Sequence, residues 1–141
     1  MKETLTDAMQ LHRNEEEIHK QFMFNDIRRW EEEAAMIRLE MDFYTGLLKS
    51  LETDPAAALA AGYPQIREGI NEAQLHNERF RQRLLGFTNQ LEGIIECDDL
   101  QCEAFFLNDH ARLKVDIEQH FSQYKSFKEK IFNCIQHRNT I

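Results

Sequence analysis

Residues 27–51 constrain the fold more than any other stretch of this chain. Ile27, Trp30, Ala34, Ile37, Met41, Tyr44, Leu48 and Leu51 follow one another at intervals of 3, 4, 3, 4, 3, 4 and 3. Such a seam puts every apolar side chain on one face of an α-helix, and strand periodicity cannot produce it. Phe43 and Leu47 widen the face to the breadth that bundle helices bury. Asn25 or Asp26 is a suitable N-cap for a helix starting here.

Two further seams follow. Ile66, Ile70, Ala73, Asn77, Phe80, Leu84, Phe87, Leu91 and Ile94 predict a helix over about 65–96, with Asn77 as its one polar seam residue. Gly86 and Gly93 sit one heptad apart on its flank. Each costs up to ~1 kcal/mol of helix propensity, so a neighbouring backbone is expected to approach there. Phe106, His110, Leu113, Ile117, His120, Tyr124, Phe127, Ile131 and Cys134 predict a last helix ending near Arg138, started by an Asp98–Gln101 capping pair. Between the first two seams, Asp54-Pro55 reads as an N-cap followed by proline at the first helical position. Ala56–Ala61 then forms a short turn, Gly62 stops it in the left-handed conformation, and Pro64 opens the next helix.

The N-terminal stretch carries two stripes. One is Ala8, Leu11, Ile18 and Phe22; the other is Leu5, Met9, His12, Glu16, His19 and Met23. Neither runs into the 27–51 seam without a phase shift at about residues 22–26, which is read as a break between two helices. One continuous helix over 4–52 is the alternative, since no glycine or proline intervenes. The fold class is all-α: a single-domain antiparallel helical bundle over residues 1–141 with coiled-coil-like packing, of four helices or of three with a long N-terminal one.

Composition narrows the function classes. The 141 residues carry 17 Lys+Arg against 25 Asp+Glu, a net charge of −8, which argues against nucleic-acid binding. No stretch has the length and apolarity of a membrane span. An N-terminus without an apolar core and an odd set of cysteines (Cys97, Cys102, Cys134) predict a cytoplasmic protein with reduced thiols. No phosphate loop, nucleophile elbow or Ser/His/Asp grouping is present, so no enzymatic activity is expected. Arg79, Arg81 and Arg83 form a basic patch expected to pair with acidic neighbours.

The polar residues within the seams are the candidate site. Aligning antiparallel helices from their short connections, with the first helix folded back at residue 25, brings His12, Glu40, His76 and His120 to one level with Asn77, and Tyr44 and Tyr124 about a turn away. A second level gathers His19, Trp30, Phe87 and His110. Buried polar groups are costly unless satisfied. Either these side chains satisfy one another and fix helix register, or His12, Glu40, His76 and His120 bind a divalent metal such as zinc or iron. Di-iron carboxylate bundles need two Glu-x-x-His pairs, and the chain has one, Glu16–His19. The expectation is a self-associating interaction or scaffold module, a homodimer open to a protein partner. The last helix is expected to overhang the bundle and expose Phe127, Ile131, Phe132 and Ile135 for the second copy.

Overall fold

The computed structural model describes residues 2–93 and 100–139, with backbone alone at 2–6, 8–9, 12–13, 16, 100 and 137–139. Four helices make up the chain: α1 Lys2–Leu51, α2 Pro55–Ala60, α3 Tyr63–Leu91 and α4 Leu100–Asn139. α1, α3 and α4 run up, down and up as a three-helix bundle, and α2 closes one end. The described residues contain no strand. Ile94, Cys97 and the Asp98 cap lie outside the described residues.

The break expected at 22–26 does not occur; α1 is one helix of 50 residues. Its sequence is rich in helix formers, and pairs one turn apart bridge the region, such as Gln21 with Asn25 at 3.0 Å and Arg28 with Glu32 at 3.8 Å. The phase shift is absorbed inside the helix. Met23 and Ile27 are both buried, so the seam steps 19, 23, 27, 30 with two successive intervals of four. Such a stutter locally unwinds a coiled coil without ending the helix.

The connection between α1 and α3 forms as its sequence predicts. The Asp54 carboxylate accepts from the Ala56 N–H at 3.0 Å, and Pro55 opens α2. Gly62 has φ +82°, and Pro64 lies in the first turn of α3. Among the polar contacts that tie α1 to α4, His19–Glu103, Asp26–His110 and Glu40–Tyr124 each join residues 84 apart, and Lys128 reaches Glu40 from one turn further on. The common offset is twelve heptads, so the two helices run parallel and in phase along their whole shared length.

The same offset corrects the expected overhang. α1 ends level with residue 135 of α4, so the last turns of α4 are covered. Ile131 is fully buried, and Phe127 and Ile135 pack into the core; of the four residues expected to be exposed only Phe132 is, at 46%, with its ring edge-on to Tyr44 at 5.8 Å. The excess length is at the other end: α4 starts at Leu100, level with residue 16, so the first turns of α1 extend ~21 Å beyond the start of α4.

The core divides into two clusters. One holds Met23, Ile27, Trp30, Leu84, Phe87, Leu91, Phe106, Leu113 and Ile117. The other holds Ile37, Met41, Tyr44, Leu48, Ala58, Tyr63, Ile70 and Ile131. Close packing of the α3 backbone falls at Gly69, where the Phe127 ring would lie 2.5 Å from an added Cβ. Gly86 has open space beside it, contrary to expectation, and Gly93 only a Phe106 contact at 3.7 Å.

Candidate functional site

Between the two apolar clusters lies a polar layer built on Asn77 and His120, which are 2% and 3% exposed. Ala34 on α1 is fully buried, and its short side chain lets α3 approach closely. The Asn77 amide therefore reaches the α1 backbone, donating to the Ala34 carbonyl at 2.9 Å. A carbonyl only accepts, so Asn77 Nδ2 faces Ala34 and its Oδ1 must accept from His120 Nε2, also at 2.9 Å. Neutral His120 then carries its proton on Nε2 and leaves Nδ1 bare. His76 Nδ1 lies 2.9 Å from that nitrogen and donates to it. One backbone carbonyl thus sets the direction of a three-bond chain and the tautomer of His120.

The layer is packed as well as bonded. The Phe80 ring stacks on His120 at 4.7 Å and 19°, and Phe80 also meets His76 edge-on at 5.2 Å. Burial, reinforced by the His76 charge, pushes the His120 pKa down to about 4. His120 is held neutral, as its acceptor role requires. His76 is exposed. It borders an open groove of about 440 Å³ between α3 and α4, lined by Gly69, Ala73, Tyr124 and Phe127 among others.

Of the four candidate ligands, His76 and His120 are brought together. Glu40 lies one turn away, where the Tyr124 hydroxyl donates to its carboxylate and Lys128 Nζ lies at 3.1 Å. Burial, and then the Glu40 hydrogen bond, push the Tyr124 pKa up. Because α1 is continuous, the backbone of residue 12 lies 28 residues from Glu40, ~42 Å along the helix. The fold-back that would bring it to the layer is absent, and the His12 side chain lies outside the described residues. Among the described residues no three His, Cys, Asp or Glu side chains gather around one point as metal ligands would.

The second level forms in part. His110 stacks on Trp30 at 5.4 Å, approaches Phe87 and pairs with Asp26 at 3.0 Å. His19 pairs instead with Glu103 at 2.9 Å, one heptad further along. Arg81 and Arg83 of the basic patch pair with Glu78 and Asp116. Cys134 is a free thiol bonded to the Ala61 carbonyl, whereas Cys102 stands in a disulfide, so the expectation of reduced thiols fails there.

A second feature extends the Leu11, Ile18 and Phe22 stripe well beyond the N-terminal stretch where the sequence showed it. The outer side of α1 exposes Leu11, Ile18, Phe22, Met36, Leu39 and Phe43, each between 53% and 64% accessible. They lie on one 3–4 repeat, 11, 15, 18, 22, 25, 29, 32, 36, 39, 43, with Glu15, Asn25, Arg29 and Glu32 at the remaining places. Counting 3–4 steps from Ile18 would have found it; the stronger buried seam, assigned to the same residues, hid it.

No family model fits the sequence, and neither a curated protein nor a solved structure matches the chain. No described helix is long and apolar enough to cross a membrane.

Proposed function

We propose that this chain is a non-enzymatic, self-associating helical module that works by presenting a helix face to other chains, its own copy first. The observation that carries this reading is the outer seam of α1. Scattered exposed apolar residues are ordinary, but six large ones aligned on one helix face are the mark of an interface. The polar layer fits the same reading. A fully satisfied buried network fixes which residues of the three helices stand level, and so holds the outer face straight and in register. Among the described residues no buried side-chain nitrogen or oxygen is left without a partner.

Sedimentation or light scattering at micromolar concentration tests the proposal. The expected particle has twice the chain mass of 16.8 kDa. A single-chain mass up to the highest soluble concentration would overturn it.

A further inference from the structure

The charged centre of the outer face of α1 complements itself when two copies run antiparallel, and we infer that two copies pair there as an antiparallel, two-fold α1–α1 contact. This inference rests on the proposed self-association and assigns it a surface and a symmetry. The seam lies roughly 140° round α1 from the buried stripe, at 3.6 residues per turn, so a second helix can dock without meeting α3 or α4.

Antiparallel helices interleave residues whose numbers add to a constant, and seam positions of one class face those of the other. Ile18 opposite Phe43 of the second copy fixes that sum at 61. Phe22 then faces Leu39, and Arg29 faces Glu32, each twice about an axis between residues 30 and 31. The polar middle of the seam, which would weaken any other alignment, becomes its complementary part. The neighbouring residues agree: Arg28-Arg29 of one copy lies against Glu32-Glu33 of the other. Parallel pairing would instead put Arg29 on Arg29 and Glu32 on Glu32, with like charges opposed.

Arg29 and Glu32 are free to make this contact. Their side chains are 58% and 71% exposed, and among the described residues they meet the intrahelical partners Asp26, at 3.3 Å from Arg29, and Arg28, at 3.8 Å from Glu32. The contact line from residue 18 to 43 is ~38 Å long. With Ile18, Phe22, Leu39 and Phe43 of both copies covered, the buried area is about 1,000 Å², which meets the lower bound for a specific interface. A two-fold contact of this kind closes on itself and leaves no open surface to propagate.

Charge exchange on one chain tests the pairing by sedimentation velocity of the full chain, with circular dichroism as the check on folding. Arg29→Glu and Glu32→Arg, both on an exposed face, should each leave the helix signal intact and weaken the dimer at least tenfold. The double variant R29E/E32R should restore wild-type association, because it exchanges the charges of a pair without changing the seam. Leu39→Glu should abolish the dimer without rescue. If the wild type is a dimer and R29E is as tight, the α1 pairing is overturned while self-association stands, and the interface lies elsewhere. If the wild type is monomeric, both fail together.

Discussion

Acid should weaken this bundle through His120 in particular. In the folded chain His120 must be neutral, since its Nδ1 accepts from His76 and burial holds its pKa at about 4 instead of 6.5. The folded pKa lies below the unfolded one, so below pH 6.5 the unfolded chain takes up the proton first and stability falls as the pH drops towards 4. The full difference corresponds to about 3 kcal/mol, of which about 2 kcal/mol is already lost at pH 5. The comparison that isolates His120 is urea unfolding of wild type and His120→Gln at pH 7.5 and pH 5, at one protein concentration. The variant should be less stable at pH 7.5 by ~1–3 kcal/mol, the cost of disturbing a buried hydrogen-bond chain. It should lose about 2 kcal/mol less than wild type between the two pH values. Nitrogen-15 spectra should show His120 as the Nε2–H tautomer, titrating near pH 4. Equal acid losses in the two proteins, or a His120 resonance titrating near 6.5, would refute the account of the layer.

Glycine substitutions should separate the close contact from the open one. Gly69→Ala drives a methyl into the Phe127 ring and should destabilise by ~1–3 kcal/mol, whereas Gly86→Ala meets nothing and should stabilise by up to ~1 kcal/mol, both read by thermal unfolding. Added zinc should leave the melting temperature of the untagged protein unchanged, since two imidazoles bonded to each other through Nδ1 offer no converging ligand set. A rise that vanishes in both His76→Ala and His120→Ala would move those residues from the network to a metal.

Seam spacing made α3, α4, the Asp54–Gly62 connection and the buried faces of all three long helices legible, because a 3–4 repeat and its punctuation are local facts. His76, Asn77 and His120 were placed in one layer for the same reason: residues at comparable distances from a short connection must lie level. The failures were non-local. Whether residues 22–26 break or stutter depends on Met23 and Ile27 both finding partners on α3 and α4, which the helix sequence alone does not state. With that point misread, His12 was folded back to a level ~42 Å from where its backbone lies, and the overhang was assigned to the wrong helix. Glu40 was misassigned by a single turn, enough to exchange a histidine layer for the Tyr124 hydroxyl and the Lys128 ammonium.

The layer of Asn77 and His120 also bears on cooperativity. It splits the interior into two apolar storeys, and among the described residues Phe121 is the one side chain packed against both. A fluctuation that frays one storey loses that storey's contacts and reaches the other through the continuous helices and the Phe121 ring. The bundle is thus two short folding units stacked in series, with the storey closed by α2 anchored at its end by Tyr63 and the other ending at the first turns of α1. Slow amide exchange should then come in two blocks, each with its own opening free energy, with their common boundary near the Ala34 carbonyl.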